Sequence, residues 1–480
     1  MEILRTQPGI PGCLEEELNA VALSLAGSSR RAQIFGERHG WSGSGPVTLA
    51  VLSDSYGISR ERARQLCKAV EDAVEKWREK FPTPHLDRCI DLISAMTPGR
   101  ADRIEAALVE AGLTNRRFLL EGLLDAAAAL GKDTSVTLVC HGDRSYCVPR
   151  SADGLVKRLV AISKKCCDRW GLSTVSDVAG SVEEEAGTKV PVAFAQDVVT
   201  SLAGYELLDD AVGWFWLSAT GRGNPLLNLV EKAVAVAGRV RLPDLRRAIN
   251  RSMHMRAFAP PTRVLRAICQ RMKFISVEEE WVVDSGLPPW DQLLPVNEAL
   301  VVLALKELGP LAERGAILSR CNDYGMSEAT ATIYLSYSPA VARYARSVYG
   351  PVGLEFEPGA AEALVPQSTV RRVLVDYGWR DGKVWLALKL SAGLVSNGCF
   401  TVPSAMKRFL GGEYPLRAAD QSPMGTLVVR DNQGWGLLPF LRRRGGEPGD
   451  VLLLAFDPGT QTSNVRLGDD SLLDEWQPDE

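Results

Sequence analysis

No Cys-x-x-Cys pair occurs among the ten cysteines, which lie scattered along the 480 residues. That absence excludes the usual zinc ribbons and fingers, whose metal needs closely paired thiolates. Cys140-His141 with Cys147 comes nearest, on a segment that reads as a β-hairpin, but three ligands without a fourth do not close a tetrahedral site. Adjacent Cys166-Cys167 read as packed thiols. Catalytic signatures are missing as well. There is no Gly-x-x-x-x-Gly-Lys-Ser/Thr loop and no Gly-x-Ser-x-Gly elbow, and His39, His85, His141 and His254 do not pair at ligand spacing. Asp376 near Lys383 is a thin nuclease candidate that Arg380 and solvent explain equally well. We expect no catalytic residue, no metal and no cofactor. No apolar run approaches the ~20 residues of a membrane span, and Met-Glu-Ile-Leu-Arg-Thr is no signal peptide. A cytoplasmic location without membrane contact follows as an expectation.

An excess of positive charge is lacking too: 55 Lys and Arg against 59 Asp and Glu leave a net charge of −4. The distribution is uneven, however. Ten bases lie between Arg239 and Lys273 (Arg239, Arg241, Arg246, Arg247, Arg251, Arg256, Arg263, Arg266, Arg271 and Lys273) against the single acid Asp244. Beyond Arg466 the tail, residues 469–480, has six acids and no base. A local basic stripe attracts phosphates whatever the overall sum.

Residues 43–66 carry the most specific pattern. Thr48 is suited to cap a short helix with Leu49 and Leu52 facing inward, and Gly57 stands where the chain must turn with φ > 0. Ser59 then caps a second helix. Arg60, Glu61, Arg64 and Gln65 share one broad face of it while Ala63 and Leu66 pack back. Such a face offers donors and acceptors for guanine, cytosine and adenine edges. The string Gly57-Ile-Ser-Arg60-Glu61-Arg62-Ala-Arg64-Gln65, with Thr48-Leu49 before it, resembles region 4 of the sigma-70 family, which binds the −35 promoter element. The resemblance extends to Arg31–Trp41 as the preceding helix and turn, and implies that Arg60, Glu61, Arg62, Arg64 and Gln65 meet bases or phosphates. No aromatic-rich helix of the promoter-melting kind precedes it, so the chain is expected to be a borrowed reader and not an initiation factor.

The middle of the chain repeats. Trp214 to Trp281 is 67 residues and Trp281 to Val348 is 67 again, while Gly171 to Gly238 takes the same step. Helix, strand, helix, helix and two closing strands within that length is the winged-helix plan, expected three times, over 152–219, 223–285 and 294–353. In the second, Pro260-Pro261 opens the third helix, Val264, Leu265, Ile268 and Met272 form its inward stripe, and Arg263, Arg266 and Gln270 face outward to meet DNA, helped by Arg246 and Arg247. The phrase Leu335-Ser-x-Ser-Pro339…Arg343…Tyr349-Gly350 resembles the HARE-HTH winged helices of RNA polymerase δ subunits. The first repeat, whose third helix carries Gln196 and Asp197 and no base, reads as a spacer. Residues 82–150 read as a helical linker domain ending in a hairpin around His141–Arg144, where Arg116 and Arg117 mark an exposed helix end.

From about 367 to 468 strands dominate, with Phe400–Gly411 read as strand, proline-started helix and glycine stop. Phe400-Thr-Val-Pro403 and Pro448-Gly-Asp-Val-Leu452 resemble pseudo-barrel folds of the AbrB and B3 type. Arg442, Arg443 and Arg444 fall on a loop of this barrel, in reach of phosphate. A partner-docking barrel with an ordinary basic loop stays equally open.

The expected architecture is therefore mainly α and multi-domain: a sigma-like helix-turn-helix (14–81), the helical linker, three tandem winged helices, a C-terminal small β-barrel and the acidic tail. The expected function is sequence-specific binding of double-stranded DNA, as a bacterial-type transcriptional regulator associated with the nucleoid. The alternative is a DNA-targeting or scaffold subunit of a mobile-element or anti-phage complex. RNA polymerase or the proteins of such a complex are the expected protein partners.

Overall fold

A computed structural model describes residues 12–77, 80–218, 223–253, 255, 260–345, 347–364, 376–469 and 472. Helix accounts for 48% and strand for 21%, so the protein is a mixed α/β molecule and not the mainly α one expected. The reason lies in the C-terminal third, where eight strands form one curled half-barrel sheet in place of a small barrel. No helix among the described residues is long and apolar enough to cross a membrane. Apart from Asp469 and Leu472, the acidic tail lies outside the described residues.

Two compact units make up the chain: residues 1–160 with 188–201, and 161–187 with 202–480. The first unit begins with four helices, α1 (Leu14–Ala26), α2 (Ser29–His39), α3 (Leu49–Tyr56) and α4 (Arg60–Trp77). Next come α5 (Pro84–Ala95), β1 (Gly99–Arg100), α6 (Ala101–Glu110), α7 (Leu120–Ala129), β2 (Val136–His141) and β3 (Arg144–Pro149). The strands form an antiparallel sheet in the order β1-β3-β2. This is winged-helix order in the segment expected to be a linker; we call it module A.

Three further segments share that order. Module B has α8 (Leu155–Trp170), β4 (Ser173–Thr174), α9 (Val175–Ala186), α10 (Val192–Val199), β5 (Tyr205–Asp209) and β6 (Trp214–Leu217). Its α10 belongs to the first unit and its strands to the second. Module C has α11 (Pro225–Ala237), β7 (Arg239–Arg241), α12 (Leu242–Arg251), α13 (Thr262–Cys269), β8 (Ile275–Glu278) and β9 (Trp281–Asp284). After α14 (Trp290–Leu293), module D has α15 (Val296–Leu308), β10 (Ala312–Glu313), α16 (Arg314–Asp323), α17 (Glu328–Tyr337), β11 (Val341–Ala345) and β12 (Val348–Pro351). The sheets run β4-β6-β5, β7-β9-β8 and β10-β12-β11. Gly171, Gly238 and Gly309 stand at one place in B, C and D, just past the first helix, with φ of 85°, 72° and 113°. Module A has Met96 there.

Helices α1, α2 and α4 share one core with module A, in which Leu14, Phe35, Trp41, Val70 and Val74 pack with Leu86, Ile104, Leu123 and Cys147. Burial of that apolar surface makes them one folding body. The closest approach is backbone on backbone: a Cβ on Gly122 of α7 would lie 2.2 Å from the Gly40 carbonyl oxygen that ends α2. Only glycine permits this seat.

After α18 (Ala360–Ala363), the C-terminal sheet comprises β13 (Asp376–Arg380), β14 (Lys383–Lys389), β15 (Phe400–Thr401), β16 (Gly412–Ala418), β17 (Pro423–Arg430), β18 (Gln433–Trp435), β19 (Val451–Asp457) and β20 (Thr462–Gly468). Their order is β13-β14-β19-β20-β16-β17-β18-β15, with β16 and β20 parallel and the other pairs antiparallel. Leu386, Tyr414, Leu416, Phe440 and Phe456 pack into one buried core. Helix α19 (Ala392–Asn397) follows β14, and α20 (Leu438–Arg444) follows β18. The helix expected after Phe400 is instead a run of turns over 404–409.

Candidate nucleic-acid interface

The α3–turn–α4 corner is built by its caps. The Thr48 hydroxyl accepts from the Val51 amide at 3.4 Å and the Ser59 hydroxyl from the Arg62 amide at 3.1 Å. Gly57, at φ 62°, makes the left-handed turn between them. Leu52, Ala63 and Cys67 bury against Ile34 and fix the roll of α4. Arg60, Glu61, Arg62, Arg64 and Gln65 are consequently all exposed on its first two turns. Arg30 donates to the Tyr56 carbonyl at 2.9 Å and the Tyr56 hydroxyl donates to Glu37 at 2.7 Å, tying the turn to α2. Burial, with Glu37 beside it, pushes the Tyr56 phenol up to about 12, so this tie stays protonated.

On the exposed face Arg64 grips Glu61 with two bonds, of 2.9 and 2.7 Å, and the Gln65 amide donates to the same carboxylate at 3.2 Å. The Arg64 guanidinium holds the Glu61 carboxyl below its ordinary range. All three side chains are presented in a defined arrangement by residues of α4 itself. Arg116 donates to the Ser42 carbonyl at 2.8 Å and Arg117 to the buried Glu105 at 2.6 Å, so both brace the first unit.

The third helices of modules A to C have a different fate. In α7, Leu120, Leu123, Ala126 and Ala127 are buried in the shared core. Helix α10 seats on the sheet of module A: Arg103 donates to Asp197 at 2.8 Å, Tyr146 to the Asp197 carbonyl at 3.2 Å, and the Tyr146 and Phe194 rings meet edge to face at 5.9 Å. Helix α13 seats on the wing of module B. Its inward Val264, Leu265 and Ile268 are buried as expected from their spacing. Its outward Arg263, however, forks onto Asp209 of β5 at 3.1 and 3.0 Å. Arg271, just beyond it, meets Glu206 of β5 at 3.2 Å. Arg266 donates to the Glu279 carbonyl, and Gln270 is exposed. The desolvation that would raise the Asp209 pKa is outweighed by Arg263, which holds it low.

The basic stripe is largely neutralised within the protein. Arg239 pairs with Glu355 at 2.9 Å, Arg241 with Glu280 at 2.8 Å and Arg247 with Asp244. Arg246 is no surface contact at all: it is buried, and donates to Pro260 at 2.9 Å, to both Asp450 oxygens at 2.9 and 3.0 Å and to Gly445 at 2.5 Å. It therefore joins module C to the C-terminal sheet. Arg256 lies outside the described residues.

Arg442, Arg443 and Arg444 form the last turn of α20, where a loop was expected. Arg444 is buried and reaches Asp177 at 3.2 Å and the Ser422 hydroxyl at 3.2 Å, while Arg443 donates to Asp177 at 2.8 Å. Burial pulls the Arg444 pKa below the usual arginine range, with Asp177 acting against it. Both arginines anchor α20 to α9, and Arg442 alone is left exposed. Asp177, Asp209 and Asp450 are the residues that sequence reasoning missed. Only Asp177 had a local signal, three residues after the Thr174 that caps α9.

No group of three His, Cys, Asp or Glu among the described residues is arranged to hold a metal. Cys140 is exposed and Cys147 buried, and none of the ten cysteines is bridged. Asp376 and Lys383 sit at opposite ends of the β13–β14 ladder, opposite Ala387 and Arg380 respectively. Comparison with protein-family models and with curated proteins gives no match.

Proposed function

We propose that the chain binds double-stranded DNA and reads its sequence through α4, as a transcriptional regulator of the cytoplasm and nucleoid that acts without catalysis. The observation that carries this reading is the face of α4. Arg60, Glu61, Arg64 and Gln65 are exposed together at the start of a capped second helix. In a major groove Arg60 and Arg64 suit guanine O6 and N7, Glu61 accepts from cytosine N4, and Gln65 suits adenine. Arg62 lies beside them for phosphate. The Arg64–Glu61 pair limits the rotamers of both side chains before DNA arrives, which lowers the ordering cost of binding.

The covered helices favour a division of labour. Modules A to C act as a scaffold, and the regulator or complex partners, RNA polymerase among the candidates, engage surfaces other than those third helices.

Selection of duplexes from a random pool, followed by fluorescence anisotropy, tests the assignment. Arg60→Ala and Glu61→Ala should each cost about 1–3 kcal/mol on the selected site. On random duplex Glu61→Ala should cost almost nothing, since a carboxylate repels phosphate and contributes only by reading a base. Equal losses on both duplexes would overturn the assignment.

A further inference from the structure

The C-terminal sheet, all of it in the second unit, ends on β13 at one side and β15 at the other. Strand β15 is two residues long and offers little edge, whereas β13 has five. Among the described residues no strand pairs with the outer side of β13. Lysine, proline or a bulge usually guards such an edge, and Asp376-Tyr-Gly-Trp-Arg380 has none of them.

The turn after β13 fixes which backbone groups face outward. Asp381 and Gly382, at φ 52° and 75°, have the positive φ that a two-residue type I′ loop requires at both places. Arg380 and Lys383, which flank the loop, are therefore a hydrogen-bonded pair. By alternation Gly378 and Asp376 also bond to β14, and the N–H and C=O of Tyr377 and Trp379 point to the open edge. In agreement, the Tyr377 N–H donates to the Asp376 carboxylate at 2.9 Å, a side chain standing where a strand would. The Tyr377 and Trp379 side chains lie opposite Leu386 and Val384 and so share the core face, yet they are 41% and 47% exposed.

We propose that β13 is a dimerisation edge, on which a second copy of this chain pairs its own β13 antiparallel about Gly378. In that register the five residues are self-complementary. Tyr377 meets Trp379 of the second copy twice over, and the four outward N–H groups find four outward carbonyls. Asp376 meets Arg380 of the second copy at the non-hydrogen-bonded positions, where side chains approach most closely. A slip of two residues in either direction leaves one aromatic pair and no ion pair. Arg380 keeps its present neighbours, Asp381 at 3.8 Å among them, because a guanidinium has donors enough to add a second carboxylate. Asp376 gives up the Tyr377 N–H as a carbonyl of the second copy replaces it. Any strand satisfies the backbone, but charges and rings that match under a two-fold axis point to the same chain. A five-residue seam falls short of the roughly 1,000 Å² of a stable interface, so the dimer should form in the micromolar range. The inference goes beyond the DNA reading and stands on different residues.

The test is sedimentation equilibrium of the full chain across the micromolar range, without DNA. The parent should associate to a dimer. Asp376→Arg and Arg380→Asp should each weaken association about tenfold or more, since each sets two like-charge pairs across the seam. An equal mixture of these two variants should dimerise as the parent does, because opposite charges then face each other again. The double variant Asp376→Arg, Arg380→Asp should likewise dimerise with itself. Arg60→Ala should leave association unchanged, which separates failure here from failure of the α4 assignment. A parent that stays monomeric at submillimolar concentration overturns the proposal, and so do single variants that dimerise as the parent does. It is also overturned if the single variants lose association and neither the mixture nor the double variant regains it.

Discussion

Helices α4 and α13 both place arginines three or four residues apart on the side away from an apolar stripe: Arg60 and Arg64 on one, Arg263 and Arg266 on the other. On α4 the acidic companion is Glu61, one turn away on the same helix, so the pair remains on the surface together. On α13 the companion is Asp209, 54 residues earlier and on the wing of the preceding module, so the pair closes a module–module seam. A basic helix is open to DNA only if its counter-charges lie beside it. When they come from another module, the same arginines hold modules in register.

The largest effect expected from this contrast belongs to the seam that Arg246 makes. Arg246→Met leaves the buried Asp450 without its cation, and should remove about 3–5 kcal/mol from the second unit by urea denaturation. Adding Asp450→Leu should restore much of it, because the uncompensated charge is then gone. Burial already pushes the Asp450 carboxyl above its ordinary range against the pull of Arg246. The single variant should accordingly recover part of its stability as acid neutralises Asp450. A loss below about 1 kcal/mol would mean that Arg246 is a surface residue after all.

A smaller effect decides between α4 and α13 directly. The double variant Arg263→Gln, Arg266→Gln should leave the slope of log K against log salt on random duplex where it was. An arginine pair that contacts two phosphates would flatten it by nearly two units, at about 0.9 per contact. The double variant should instead lower stability by roughly 1–2 kcal/mol, because the nearly buried Asp209 loses its partner. A flattened slope with unchanged melting would return α13 to the interface.

The repeated order of elements was legible where local chemistry marks it: the closing strands with Trp214, Trp281 and Val348, and the glycines that end the first helices. Module A escaped because its first helix ends on Met96 in place of the glycine that marks the other three. The α4 face was readable because every cap and partner lies within a few residues. Arg246 and Arg444 were misplaced because what buries them is remote: Asp450 is 204 residues from one and Asp177 is 267 from the other. Charge counted along a chain records no such closure. The curled sheet was hidden for a related reason, since its parallel β16–β20 pairing joins strands that no local pattern links.

The smallest predicted effect concerns how α4 is held rather than what it reads. His39, at the end of α2, lies 3.1 Å from Asp125 of α7 and 3.3 Å from Glu71 of α4, and Trp41 donates to Asp125 at 3.0 Å. Burial by itself would lower the His39 pKa, but Asp125 and Glu71 together hold it above its ordinary 6.5. A histidine whose folded pKa is raised stabilises fully below its unfolded pKa, and that contribution is lost as pH rises through the folded value. The first unit should therefore be held most firmly below about pH 6.5 and should loosen as pH rises through the raised His39 value. The change should be on the order of 1 kcal/mol or less, since both carboxylates are more than a third exposed. Hydrogen exchange of α2 and α7 amides, corrected for intrinsic rates, should show protection falling over that range in the parent. In His39→Gln the dependence should vanish, with protection at pH 6 lowered to near the parent's value at high pH. Selectivity for the preferred duplex should be the same in both, because Arg60, Glu61, Arg64 and Gln65 are fixed by the Ser59 cap and the Ile34–Leu52–Ala63 packing. If selectivity followed the His39 titration instead, the reading face would depend on the α2–α7 clip and not on its own turn.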